Sequence, residues 1–202
     1  MRMVVVSSPV AIADEAVIIN KLFASGLTHF QLRKPAYSLA ELRKLLEEIE
    51  DQYYQGISLH QFHEIALEFG IERLHFTEKM RREAAVGDLK VLNDEGYKLS
   101  TSIHSLADFE DLIGFESAFF SPVFNSLSKS GYHGVVAKDF KHTKTHKKHL
   151  IALGGVTAEN IKNCIAMNFD GVAVLGAIWN DPLNAVKGFR NIKEVINNES
   201  NR

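Results

Sequence analysis

Short apolar runs alternate with amphipathic segments along the chain of 202 residues. The apolar runs predict eight buried strands, at 3–7, 29–33, 56–60, 74–77, 98–104, 118–124, 149–153 and 171–175. Apolar stripes with helical spacing predict helices between most of them, at 12–25, 39–49, 62–69, 105–113, 158–167 and 181–196. Ser38 and Glu41 form a capping-box pattern before the second helix. The segment 79–97 is charged and weakly periodic and predicts no element.

Strands that alternate with helices favour a parallel sheet with helices on its faces. Eight such units in 202 residues predict an α/β protein with one domain over 1–202, folded as a compact (β/α)8 TIM barrel. An open, doubly wound sheet is the alternative, because it has the same alternation.

Composition and charge narrow the class of protein. The net charge of −2 gives no electrostatic case for nucleic acid as a partner. A single cysteine, Cys164, excludes an internal disulfide framework and suits a reducing compartment. No apolar stretch is long enough to cross a membrane, so we expect a cytoplasmic protein. The basic run 141–149, with three histidines, predicts a solvated segment.

In either fold, ligands bind where the parallel strands end. Polar side chains collect at those ends: Gln31, Arg33, His60, Gln61, His75, Thr77, Ser102, His104 and the segment 125–129. His75 and His104 are expected to be structural histidines with satisfied ring nitrogens. The polar bias of these positions indicates a binding site for a charged or polar ligand.

Two glycine turns and two cations predict sites for anions. Gly154-Gly155 follows strand seven, before a helix that we expect Thr157 to cap, and Leu175-Gly176 ends strand eight. Glycine turns at helix starts on the last two strands of a barrel commonly bind phosphate. Arg33 and Lys129 end apolar strands and predict a second anion site.

Several motifs resemble the thiamine phosphate synthase family, which includes the thiazole tautomerases, over nearly the whole chain. They are VVVSS, HFQLRKP, a Ser-x-His at 102–104, a Pro-Val-Phe at 122–124 followed by hydroxyl residues and a lysine, ALGGV, and GVAVLGAI. The resemblance implies an enzyme that joins hydroxymethylpyrimidine diphosphate to a thiazole phosphate and releases diphosphate. It also implies small phosphorylated molecules as partners and leaves a homo-oligomer open.

The resemblance implies roles for named residues. Arg33, Ser102 and Lys129 would be catalytic. Gln31, His60, Gln61, His104, Ser126 and Ser128 would bind substrate together with them. Gly154, Gly155, Leu175 and Gly176 would bind the thiazole phosphate.

The chain departs from the family at the expected Mg²⁺ ligands. Where the resemblance implies two aspartates, the sequence has Gln61 and Met80, so Mg²⁺ as a cofactor is in doubt. Glu64 or Glu78 would have to replace them.

Two other functions therefore stay open. One is a thiazole tautomerase, which needs no Mg²⁺ but uses a histidine where this chain has Pro122. His133, His104 or His75 would then supply the acid and base. The other is a non-catalytic protein that binds or senses thiamine precursors.

Overall fold

Eight parallel strands close into a barrel in the computed structural model, which describes residues 1–124, 140–143 and 148–200. The strands are β1 (Arg2–Val6), β2 (His29–Leu32), β3 (Ile57–Leu59), β4 (Arg73–Phe76), β5 (Lys98–Ile103), β6 (Ser117–Phe120), β7 (His149–Leu153) and β8 (Gly171–Val174). Each strand pairs with its neighbours in sequence, and β8 closes on β1 with Val174 beside Val5. The predicted (β/α)8 barrel is confirmed, and the open sheet is excluded.

The helices run outside the barrel. They are α1 (Glu15–Ala24), α2 (Leu39–Glu47), α3 (Glu78–Glu83), α4 (Val86–Asp94), α5 (Ala107–Glu110), α6 (Ile161–Ala166), α7 (Gly176–Trp179) and α8 (Ala185–Ser200). Short 3₁₀ turns occupy Asp51–Gly56, His63–Ile65 and Pro182–Asn184. The Ser38–Glu41 capping box is present at the start of α2, as predicted. None of the described helices is long and apolar enough to span a membrane.

Some predicted helices were wrong in extent. The helix expected at 62–69 is only the turn His63–Ile65, because Phe62 has a left-handed backbone with φ of 55°. The segment 79–97, for which no element was predicted, forms most of α3 and α4. Thr157 caps no helix, since its N–H donates to Asn160 Oδ1 at 2.9 Å and α6 begins after Asn160.

One residue of the basic run before β7, His142, differs from the prediction of a solvated segment, whereas its neighbours Lys141 and Thr143 are exposed and 144–147 lie outside the described residues. His142 is buried, and its ring packs edge-on against Phe109 at 5.2 Å. Its Nε2 lies 3.5 Å from a carboxylate oxygen of Asp170. A histidine with an aromatic and an acidic neighbour can be buried inside a basic run, and the run alone does not reveal those neighbours.

The barrel interior is apolar on one side and polar on the other. Val4, Val6, Phe119, Ile151 and Ala173 form a small buried cluster of their own, on β1 and β6 to β8. On β2 to β5, the buried polar side chains in the barrel include Gln31, Ser58, His75 and Ser100. A second, larger apolar core fills the space between strands and helices. The polar side leads to the ends of the strands, where the predicted site residues lie.

Candidate active site

The predicted site residues form two groups at the carboxyl ends of the strands. A polar group lies on the ends of β2 to β5: Gln31, Arg33, His60 and Ser102. A glycine group lies on the ends of β7 and β8: Gly154, Gly155, Leu175 and Gly176. Because strands four apart face each other in an eight-stranded barrel, β3 and β4 lie across the face from β7 and β8. The two groups therefore flank one opening.

A column of polar side chains, joined by hydrogen bonds and one ring stack, connects β2 to β5. We call it the polar column, and its members are Gln31, His60, His75, Ser100 and Ser102. His60 Nε2 lies 2.7 Å from Gln31 Oε1, and the His60 ring stacks on the His75 ring at 4.0 Å. His75 Nδ1 and Nε2 each lie 2.9 Å from a hydroxyl, on Ser100 and Ser102 respectively. The expectation that His75 is a structural histidine whose ring nitrogens both have partners is confirmed. Its contact with Ser102 also connects it to the candidate site at the end of β5.

Both stacked imidazoles are neutral at neutral pH. Burial, with a smaller contribution from the charges of His63 and Arg33, lowers the pKa of His75 to about 3. Burial also lowers the pKa of His60 well below 6.5, with His75 and Arg33 adding to the effect. With Nε2–H donating to Gln31, His60 Nδ1 is an acceptor, and it is buried without a hydrogen-bond partner among the described residues. The polar column thus offers uncharged donors and acceptors.

Arg33 follows β2 and exposes its side chain at the face. Its backbone is held by Ser7, a buried residue just past β1. The Ser7 hydroxyl accepts from Arg33 N–H at 2.7 Å and donates to Arg33 C=O at 2.9 Å. The guanidinium is therefore a cation displayed from a fixed backbone.

Lys34 points away from the face. Its ammonium is fully buried in an ion pair with Glu15 and donates to Val10 C=O at 2.8 Å. Burial lowers the pKa of Lys34 and raises the pKa of Glu15, while their mutual hydrogen bond opposes both changes. Lys34 is therefore held in the interior and adds no positive charge beside Arg33 at the face.

The positions where two metal aspartates were expected have other partners. Gln61 Oε1 accepts from Lys34 N–H at 3.2 Å, and Gln61 Nε2 donates to Lys34 C=O at 2.5 Å. The Met80 side chain packs against the main apolar core. Neither side chain offers the free oxygen anion that Mg²⁺ needs.

The acids considered as replacements do not form a metal site either. The Glu78 carboxylate pairs with Arg82 at 2.5 Å and lies 3.9 Å from Arg81. Arg81 pairs in turn with Asp108 at 3.2 Å, so two acids and two cations are already matched. Glu64 is exposed on the turn after β3. Within the described part of the chain, no group of three or more metal-binding side chains occurs, and its residues do not fit Mg²⁺.

The glycine turn after β7 requires glycine. Gly154 and Gly155 have φ of 93° and 67°, which side-chain-bearing residues rarely adopt. A Cβ on Gly154 would lie 3.0 Å from Pro122 Cα, because the segment after β6 packs against the turn. Asn160 Nδ2 donates to Gly155 C=O at 2.7 Å and fixes the turn. The two glycines thus place backbone groups at the end of β7 with no side chain of their own to cover them.

Gly176 begins α7 directly after β8. The first N–H groups of a helix have no acceptor within the helix, so they are available to an anion. Trp179, in the same short helix, donates its Nε1–H to Val6 C=O at 2.7 Å and ties α7 to the end of β1. Since β7 and β8 are neighbours, the turns at Gly155 and Gly176 lie on the same side of the opening.

His104 and the strand-six segment complete the described face. His104 is exposed; its Nδ1 lies 2.7 Å from Ser121 C=O and its Nε2 lies 3.8 Å from Glu78. Pro122 lies where the resemblance implies the catalytic histidine of the tautomerases. Several predicted residues lie outside the described part of the chain: Asn125, Ser126, Ser128, Lys129 and His133. Their roles stay predictions.

Three residues of the site were not singled out from the sequence. Ser7 ends the first strand, and the same strand-end rule that selected Gln31 would have found it. Glu15 and Lys34 gave no comparable indication, because a carboxylate in a helix and a lysine in a turn are expected to be exposed. Their pairing spans 19 residues of sequence and appears only in the fold.

Comparisons with known proteins indicate one family. The family model described as thiamine monophosphate synthase matches residues 3–178. The putative thiamine-phosphate synthase of Geobacter sulfurreducens is 27% identical over 176 residues, which are 84% of this chain and 81% of that protein. The thiamine-phosphate synthase of Anoxybacillus flavithermus is 28% identical over 186 residues, with 84% of this chain and 79% of that protein covered.

Solved structures support the fold. The crystal structure of thiamine phosphate pyrophosphorylase from Bacteroides thetaiotaomicron superposes with a TM-score of 0.74 at 21% identity, covering 98% of both chains. The structure of thiamine phosphate pyrophosphorylase from Pyrococcus furiosus superposes with a TM-score of 0.73 at 14% identity, covering 98% of this chain and 96% of that one. At these identities the likeness concerns the barrel and its strand order.

Proposed function

Since the chain belongs to the thiamine monophosphate synthase family, we propose that it joins hydroxymethylpyrimidine diphosphate to a thiazole phosphate. The products are thiamine phosphate and diphosphate. One observation carries the proposal: a cation on a fixed backbone and a pair of open glycine turns flank the same opening. Two phosphorylated substrates need two such anion sites, whereas an isomerase acting on one phosphate needs one.

The reaction breaks one C–O bond and forms one C–N bond. The electron pair of the C–O bond leaves with the diphosphate, and the lone pair of the thiazole nitrogen forms the new bond to the pyrimidine methylene carbon. No proton is gained or lost in this exchange. The protein must therefore stabilise charge on the leaving diphosphate and tolerate positive charge on the pyrimidine methylene.

The polar column suits the pyrimidine side of this chemistry. Arg33 brings positive charge to the leaving diphosphate. His60 and His75 are neutral because burial lowers the pKa of each, so they do not repel a cationic pyrimidine. Gln31 and Ser102 add hydrogen-bonding groups at the ends of β2 and β5 that can orient a ring bearing nitrogen atoms.

The glycine turns suit the thiazole phosphate. Backbone N–H groups near Gly155 and at the start of α7 carry partial positive charge without a bulky side chain. A phosphate held there anchors the thiazole on the β7–β8 side. Its nitrogen can then approach the pyrimidine from across the opening.

Binding of each substrate alone, measured by calorimetry, tests the two-site arrangement. Arg33→Ala should weaken the binding of pyrimidine diphosphate about 10- to 100-fold, because a charge-assisted hydrogen bond is lost. It should leave the binding of thiazole phosphate unchanged. Gly176→Asp should weaken thiazole phosphate binding and leave pyrimidine diphosphate binding unchanged, because its carboxylate repels a phosphate there. The new Cβ would lie 3.3 Å from Asn180 Nδ2, so the Asn180 side chain must shift slightly to accommodate it. If either variant weakened both ligands equally, the proposed separation of sites would be wrong.

A further inference from the structure

Two side chains hold the end of β2, and each bonds to both backbone groups of one residue. Ser7 holds Arg33 in this way, at 2.7 and 2.9 Å. Gln61 holds Lys34, at 3.2 and 2.5 Å. The buried ion pair of Lys34 with Glu15 anchors the same segment from inside. We call these contacts the β2 clamp; they fix the backbone of Arg33 while its guanidinium stays exposed.

The clamp requires an amide at position 61. Gln61 both accepts from an N–H and donates to a C=O, and an ionised carboxylate has no donor for the second bond. An aspartate here would lose that bond and bring a negative charge next to a carbonyl oxygen. The Gln61 oxygen accepts from Lys34 N–H, and the residue at the second expected ligand position, Met80, is half-buried against the core and has no oxygen to offer. The positions that would hold a metal are thus used for structure.

We infer, building on the proposed function, that this chain binds its diphosphate substrate without a divalent cation held by the protein. The clamped Arg33 supplies the charge directly. A guanidinium on a fixed backbone loses less conformational entropy on binding than one on a mobile loop, so clamping strengthens its contact with an anion. Ser7 and Gln61 are positioning residues in this scheme, because they act through Arg33.

Calorimetry with inorganic diphosphate tests the inference on the full chain. We expect binding in the presence of a chelator, and no tightening when Mg²⁺ replaces the chelator. We also expect that Mn²⁺, followed by its paramagnetic resonance signal, does not bind the protein alone more tightly than about 1 mM. Tightening of diphosphate binding by Mg²⁺ of about tenfold or more, or tighter Mn²⁺ binding, would overturn the inference. So would a failure of diphosphate to bind under either condition.

Neutral variants test the clamp. With chelator present, Gln61→Met and Ser7→Ala should each weaken diphosphate binding about tenfold, since each leaves the N–H and C=O of one clamped residue without their side-chain partner. Both variants should leave thiazole phosphate binding unchanged. Gln52→Met is the matched control, because Gln52 is exposed in the turn before β3. Unchanged diphosphate affinity in both clamp variants, or an equal loss of both ligands, would contradict the positioning role.

These outcomes are separate from a failure of the proposed function. If diphosphate and thiazole phosphate bind as expected but no thiamine phosphate forms, the synthase proposal fails and the metal-free anion site stands. If product forms but Mg²⁺ tightens diphosphate binding, the inference fails and the synthase proposal stands.

Discussion

The buried imidazole of His75 makes the stability of the barrel sensitive to acid. It is 1% exposed, bonds to the Ser100 and Ser102 hydroxyls, and stacks on His60. Protonating it would place a charge in the barrel interior with no carboxylate among these neighbours. We therefore predict that acidification destabilises the fold, and that His75→Gln removes part of this sensitivity.

The size of the effect follows from the pKa difference between the two states. The unfolded imidazole titrates near 6.5, whereas the folded pKa is about 3. Between these values the unfolded state binds more protons than the folded state, so the free energy of unfolding falls as the pH falls. Each pH unit below 6.5 lowers the free energy of unfolding by about 1.4 kcal/mol. Acidification from about pH 7.5 to about pH 5 should therefore lower it by about 2 kcal/mol through His75 alone.

Urea unfolding at the two pH values measures this loss, with the fluorescence of the single tryptophan, Trp179, as the signal. The wild type should lose at least about 2 kcal/mol on acidification, because His60 and His63 also have lowered pKa values. His75→Gln should lose about 2 kcal/mol less than the wild type. The control His104→Gln alters an exposed ring and should keep the wild-type loss. An equal loss in His75→Gln and wild type would refute the reasoning.

Three further predictions concern other parts of the site. Lys34→Met should destabilise the fold by about 3–5 kcal/mol in urea unfolding, because Glu15 is left buried and unpaired, and adding Glu15→Met should restore most of the loss; a double variant no better than the single one would contradict this. Gly154→Ala should lower the free energy of unfolding by about 1–3 kcal/mol, since the backbone φ there is 93° and the new Cβ would lie 3.0 Å from a backbone atom. The control Gly87→Ala places a Cβ with no atom within 4 Å and should not destabilise the fold. Equal effects of the two variants in thermal unfolding would be inconsistent with strain at Gly154. Lys129→Ala should weaken pyrimidine diphosphate in calorimetry and spare thiazole phosphate, and an equal loss of both would argue against two separate anion sites.

The strands could be predicted because their physics is local. A buried parallel strand needs an apolar run, and all eight runs became strands within a few residues of their predicted ends. Helix extents were less predictable because single backbone conformations decide them. Phe62 has a positive φ although it is not glycine, and this stops the helix that an apolar pattern at 62–69 suggested.

The site could be located from the sequence, but not its internal partners. The rule that parallel strands present ligand-binding groups at their carboxyl ends selected Gln31, Arg33 and His60. It could not tell that Gln61 would bond to the backbone of Lys34, 27 residues away, rather than to a ligand. A side chain at a strand end can point either toward a ligand or toward a neighbouring loop. Which of the two it contacts depends on the positions of those loops in the closed barrel, which the sequence pattern does not give.

A phosphorus NMR time course tests the central claim most directly. It would mix the full chain with hydroxymethylpyrimidine diphosphate and thiazole phosphate, with Mg²⁺ present so that metal supply is not limiting. We predict that free diphosphate and thiamine phosphate appear in equal amounts as both substrates disappear, and that Arg33→Ala slows both signals together. Persistence of both substrates, with calorimetry showing that each one binds, would contradict the assignment of this barrel as a synthase.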